Sequence, residues 1–103
     1  MKRAITMDPK DGVATALNDL VAGDRITVVS AGQEVVKEVV VTEAIPFGHK
    51  VALGKIEKGT KVIKYGEVIG VASQDIVPGD HAHIHNVDSN RMQMPKVWYR
   101  KEE

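Results

Sequence analysis

Three of the four histidines fall in the run His81-Ala82-His83-Ile84-His85, and Asn86 follows at once. On an extended strand alternate residues share a face. The spacing therefore predicts the three imidazoles on one side, with Ala82 and Ile84 in the core. An imidazole can ligate a metal, bind the hydroxyls or carboxylate of a small ligand, or move a proton near neutral pH. His81, His83 and His85 are the candidate metal ligands. A strand that rises ~3.3 Å per residue separates the outer pair by about 13 Å, so at most two of them serve one ion. The plain alternative is a solvated strand face, but three imidazoles on one side with an adjacent amide favour a functional role.

The fourth histidine sits in Gly48-His49-Lys50. Glycine lets a backbone come close to a ligand. A lysine ammonium pairs with a carboxylate. Here the alternative is an ordinary polar turn, and spacing alone does not choose between them. Lys64, Tyr65 and Glu67 read as structural, with Tyr65 supplying bulk to bury and its charged neighbours solvated. No carboxylate pair suggests acid–base work. Walker, dinucleotide-binding and nucleophile-elbow patterns are absent.

Short elements must position these residues. Sixteen valines and eight isoleucines stand against three leucines, and β-branched side chains suit a pleated surface. Strands are predicted at 2–7, 25–30, 35–42, 51–53, 61–65, 68–72 and 81–87. The turns between them are marked by Ala31-Gly32-Gln33-Glu34, Glu57-Lys58-Gly59-Thr60, Gly66-Glu67 and Val77-Pro78-Gly79-Asp80. One helix is expected over 12–22. Val13, Ala16, Leu17, Leu20 and Val21 fall at helical spacing, Asp8-Pro9 or Asp11 opens it, and Gly23 closes it. No internal repeat or linker stands out.

The 103 residues suit one domain, too small to house a whole enzyme active site with ease. Fourteen basic residues balance fourteen acidic ones and are interleaved with them, which argues against nucleic-acid binding. The chain has no cysteine, so a disulfide framework and a thiolate metal site are excluded, and a reducing cytoplasm is the expected location. No apolar run is long enough to span a membrane. Residues 91–103 carry Met92, Met94, Trp98 and Tyr99 among charges. They read either as packing on the domain or as a segment that docks a partner.

Three ordered motifs carry a family resemblance. They are Ile45-Pro46-Phe47-Gly48-His49-Lys50-Val51-Ala52-Leu53, then Gly59-x-x-Val62-Ile63-Lys64-Tyr65-Gly66-Glu67-x-Ile69-Gly70, then Asp75-Ile76-x-Pro78-Gly79-x-His81-x-His83-x-His85-Asn86. Together they resemble the N-terminal domain of altronate and galactarate dehydratases. Asp11 to Leu17 resembles that family's opening helix. The resemblance implies a mainly β, SAF-type β-clip domain over 1–90 with one short N-terminal helix. It further implies a hydro-lyase that dehydrates an aldonic or aldaric acid to a 2-keto-3-deoxy acid, typically with a divalent metal, usually iron(II).

In the fused enzymes a large catalytic domain follows the histidine-asparagine segment. This chain ends at Glu103, so the expectation is a small subunit whose large catalytic subunit is a separate polypeptide that holds most of the metal site. His49, Lys50, His83, His85 and Asn86 are then the candidate contacts to a sugar-acid substrate. The same domain type serves as the small subunit of sulfolactate sulfo-lyase, a second reading. A non-catalytic module that binds sugars or acids is a third. Self-association is left open.

Overall fold

The computed structural model describes residues 2–88, so the segment 91–103 with Trp98 lies outside the described residues. The described residues form nine strands: β1 Arg3–Thr6, β2 Val13–Ala16, β3 Arg25–Ser30, β4 Val35–Val40, β5 Lys50–Ala52, β6 Lys61–Lys64, β7 Glu67–Ala72, β8 His81–Ala82 and β9 Val87–Asp88. They form a six-stranded sheet in the order β4-β3-β1-β2-β5-β8 and a three-stranded sheet in the order β6-β7-β9. Among the described residues only β1 and β3 pair in parallel. The mainly β class is as expected, and β3–β4 and β6–β7 are the expected hairpins.

The expected helix over 12–22 is absent, and no helix occurs among the described residues. Residues 13–16 instead form β2, held between β1 and β5. A strand in that position is buried on both faces. Val13 turns toward a core with Ala52, Ile56, Val62, Ala72, Ile76 and Ala82. Ala14 and Ala16 turn the other way, toward Leu20, Ile26, Val28, Val39, Ile45 and Val51. Two-sided burial places apolar residues at 13, 14 and 16, and Leu20 follows from a bridge to Ile45. That set mimics a helical stripe. Alanines on these shared strands let the two half-cores approach each other closely.

Asp8 and Asp11 cap nothing. Asp8 accepts the Lys10 amide at 2.8 Å and closes a tight loop. Asp11 is buried and accepts from the Thr6 hydroxyl and from the Met7, Asp8 and Gly66 amides. It thereby ties the first loop to the β6–β7 hairpin. Burial opposes ionisation of this carboxyl. The Gly66, Met7 and Tyr65 amides and the Thr6 hydroxyl outweigh that effect and hold it below the usual carboxylate range.

Four turns repeat one construction, and no repeat was expected. Each carries a glycine with φ between 85° and 93° at its third position, in Val21-Ala22-Gly23-Asp24, Pro46-Phe47-Gly48-His49, Glu57-Lys58-Gly59-Thr60 and Val77-Pro78-Gly79-Asp80. Positive φ at the third position is the pattern of a type II turn. In each turn the glycine N–H donates to a strand carbonyl, and that strand residue's N–H donates back to the carbonyl after the glycine. The partners are Val41, just past the end of β4, then Ala16, Ala72 and Ala52 on their strands. The turns also associate in pairs, through the Leu20–Ile45 and Ile56–Ile76 bridges. An aspartate braces each pair, Asp19 receiving the Phe47 amide and Asp75 the Lys58 amide.

At the fourth turn the backbone crosses β4. A Cβ on Gly79 would lie 2.0 Å from the Val40 carbonyl oxygen. Alanine there would meet both that oxygen and an unfavourable φ. We expect Gly79→Ala to destabilise the protein by about 3 kcal/mol or more, read as a lowered urea midpoint or loss of soluble protein, whereas Gly54→Ala, which meets nothing within 4 Å, should cost far less. Asp11→Asn should cost about 2 kcal/mol at pH 7. Because the folded carboxyl is the stronger acid, its stabilisation is present above the unfolded value of about 3.9 and is lost as pH falls through the folded value. The gap between wild type and Asp11→Asn in urea unfolding should therefore narrow below about pH 4, and a gap independent of pH would refute this role.

Candidate functional site

The second turn and the fourth turn bring the histidines together. β5 follows the second turn and β8 follows the fourth, and they pair antiparallel with Lys50 opposite Ala82 and Val51 opposite His81. That register sets His49 across from His83. Their rings stack at 4.7 Å between centroids, and His81 stacks on His83 at 5.1 Å. His49 Nδ1 lies 2.9 Å from His81 Nε2. In the first and fourth turns the residue after the glycine is an aspartate that closes its own turn through the Val21 or Val77 amide. His49 occupies the equivalent position, and its ring reaches across to β8 instead.

The strand expected over 81–87 ends at Ala82. The chain must pass there from the six-stranded sheet to β9 in the other sheet, and it does so through a turn. Asn86 organises that turn. Its buried amide accepts from the His83 N–H at 2.9 Å and donates to the His81 carbonyl at 2.8 Å. Both of its polar ends are thus spent on the loop. Ile84, expected in the core, is 84% exposed at the turn's tip. The turn also removes the basis for spreading the histidines over about 13 Å, since the His81 and His85 rings lie 5.5 Å apart. The three imidazoles whose ligand atoms converge, all within 4.8 Å of one another, are His49, His81 and His83. His85 is exposed at the rim.

Beside this cluster lies an open cleft of about 380 Å³, lined by Lys50, Lys64, Tyr65, Ile69, Ala82 and His83 among others. Burial and then the Lys64 charge push the Lys50 ammonium below its ordinary value, against a smaller opposing effect of Tyr65. His81 is lowered by burial, then by the charges of His83, His49 and His85, with Glu43 acting the other way. His83 is lowered by desolvation, then by His49, Lys50 and His85. Two imidazoles kept neutral offer lone pairs, and a clustered pair of ammoniums offers positive charge to an anion.

Three neighbours of the site were not anticipated. Glu43 accepts the His81 backbone N–H at 3.1 Å, which places a carboxylate at the cluster. Lys64 and Tyr65, read from sequence as structural, line the cleft, with the Lys64 ammonium 4.6 Å from the Tyr65 ring centroid. Tyr65 is 55% exposed rather than buried. It and Gly66 both have positive φ, 57° and 75°, at the two-residue turn between β6 and β7. A bulky residue in that conformation stores strain of about 1–2 kcal/mol. Asparagine is the ordinary occupant of such a turn, so the aromatic ring in its place is the signal that sequence offered.

Residues 2–90 match the model of the altronate/galactarate dehydratase SAF domain. The chain is 39% identical over 90 residues to altronate dehydratase of Bacillus subtilis, covering 87% of this chain and 17% of that protein. Altronate dehydratase of Escherichia coli gives the same identity and the same coverage. The chain thus spans about a sixth of the length of these dehydratases. It is 35% identical over 88 residues to the (2R)-sulfolactate sulfo-lyase subunit alpha of Chromohalobacter salexigens, covering 84% of this chain and 94% of that subunit. With the match running through every strand and the whole histidine site, this chain belongs to the altronate/galactarate dehydratase SAF domain family.

Proposed function

We propose that this chain is the SAF component of a lyase that acts on a hydroxylated carboxylate, with dehydration of an altronate-type sugar acid as the reaction. Its setting is cytoplasmic, and a large catalytic subunit completes the site. The observation that carries this reading is the cleft in which Lys50, Lys64 and His83 stand together beside a histidine cluster. Two ammoniums in a half-enclosed cleft suit a carboxylate group, and the imidazoles suit the adjacent hydroxyls.

Dehydration removes a proton from the carbon next to the carboxylate and expels hydroxide from the carbon beyond it. Negative charge then grows on the carboxylate oxygens as an enediolate forms. Lys50 and Lys64 hold that charge. Neutral His83 can donate one hydrogen bond and accept another, which orients a hydroxyl toward departure. His85, exposed beside His81, is the candidate contact for a more distant hydroxyl of the substrate. Asn86 contributes by holding His81 and His83 in place. A divalent metal, iron(II) by the family resemblance, would supply Lewis-acid polarisation of the leaving hydroxyl.

Sulfolactate cleavage is the second reading. It is favoured by the likeness to a sulfo-lyase subunit over nearly its whole length. Both reactions expel a leaving group two carbons from a carboxylate, so Lys50 and Lys64 would serve either. Assays of the chain with a candidate large subunit, against altronate, galactarate and sulfolactate, separate them. Product should form with the mixture and not with the large subunit alone. Lys50→Ala should raise KM about 10–100-fold, the loss expected for one charge-assisted hydrogen bond. Equal turnover with and without this chain, or an unchanged KM for Lys50→Ala, would sink the proposal. Tyr65→Asn should gain about 1 kcal/mol in stability by relieving the left-handed strain while raising KM. A stabilised variant with unaltered kinetics would remove Tyr65 from the cleft's function.

A further inference from the structure

We propose that His49, His81 and His83 form a three-imidazole site for one divalent transition-metal ion, held by this chain itself rather than mainly by a partner. The three ligand nitrogens come from two segments distant in sequence, the second turn and β8 with the residue after it, and lie within 4.8 Å of one another. Nitrogens bound at ~2.1 Å lie ~3.0 Å apart when they subtend ~90° at an ion, and ~3.4 Å apart in a tetrahedral site. The His49–His81 separation of 2.9 Å already matches the first geometry. The His83 ring must move by ~1–2 Å, a modest χ adjustment for a side chain at the protein's edge.

A simple histidine–histidine hydrogen bond would account for the 2.9 Å contact. It leaves unexplained why His83 brings a third nitrogen into the same space and stacks on both other rings. The support around the ligands is also built. Asn86 bonds to the backbone on either side of Ala82 and so sets the spacing of His81 and His83. Glu43 anchors the His81 backbone and places a negative charge near the cation. The β5–β8 register fixes His49 against both.

The donor set selects the ion. Three imidazoles without thiolate or carboxylate suit iron(II), cobalt(II), nickel(II) or zinc rather than magnesium or calcium. Three ligands on one side leave the opposite positions free. His83 lines the cleft with Lys50 and Lys64, so the carboxylate and hydroxyl oxygens of a hydroxy acid bound there could complete the shell. His85 is not among the converging ligands, so the site differs from the three strand histidines expected from sequence. The inference deepens the proposed function but rests on separate observations.

The test is titration of the full tag-free chain with cobalt(II), followed by calorimetry and by visible absorption. One ion should bind per chain. His49→Ala, His81→Ala and His83→Ala should each weaken binding by at least about tenfold, while His85→Ala should leave it within about twofold. Circular dichroism reports whether each variant is folded. Where one is not, paramagnetic broadening of histidine ring signals in the wild-type chain identifies the ligands directly. Broadening should strike His49, His81 and His83 first. Absence of saturable binding below about 1 mM, or binding that survives His49→Ala and is lost with His85→Ala, overturns the site. A chain that binds cobalt(II) as expected yet adds nothing to dehydration keeps the metal site and discards the proposed reaction. An active mixture whose small chain binds no metal does the reverse.

Discussion

A pair of backbone hydrogen bonds, made four times, holds this small domain together. At Gly23, Gly48, Gly59 and Gly79 a turn gives its N–H to a strand and takes the same strand residue's N–H in return. Each exchange satisfies backbone groups that a short strand would otherwise leave unpaired, and among the described residues the strands run to six residues at most. The exchanges also fix which strand lies next to which turn. Loops and sheet are therefore one hydrogen-bonded object, and a side chain placed just after one of these glycines is held about as rigidly as one on a strand.

Two half-cores follow from that arrangement. β2 and β5 are walls common to both, with Val13 and Ala52 facing one way and Ala14, Ala16 and Val51 the other. Doubly buried strands need small residues, and the alanines supply them. Asp11 then joins the first loop to the turn of the β6–β7 hairpin, alongside the bond from the Gly12 N–H to the Ile63 carbonyl. The site sits along β5 and β8, at the end of the six-stranded sheet, where turns from both halves converge.

Much of this was legible in the sequence. Valine and isoleucine excess, with turns at Glu57-Lys58-Gly59-Thr60 and Val77-Pro78-Gly79-Asp80, gives the β class correctly, because local turn chemistry and χ1 stiffness act over a few residues. The helix misreading at 12–22 has a long-range cause. Apolar residues at 13, 14, 16 and 20 answer to partners that only the folded chain supplies. The strand expected at 81–87 fails for a similar reason. Asn86 can satisfy the backbone locally, and a crossing between sheets requires that it do so. Pairing of His49 with His83 depends on the register of β5 against β8, which no local pattern encodes. Tyr65 was misjudged because bulk suggested burial, while the left-handed conformation of the hairpin turn carries it outward.

The four turns are interchangeable sockets. Asp24, His49, Thr60 and Asp80 occupy the same place in the same backbone, yet only one of them carries an imidazole. The glycine and the two backbone bonds are common to all four turns, whereas the side-chain bond that Asp24 and Asp80 add to their own turn is absent where His49 reaches across to β8. A site built this way can be changed by point substitution without touching the scaffold. It also carries its own controls: three copies of the same turn, in the same molecule, in which the chemistry has been replaced by a polar residue and the geometry retained.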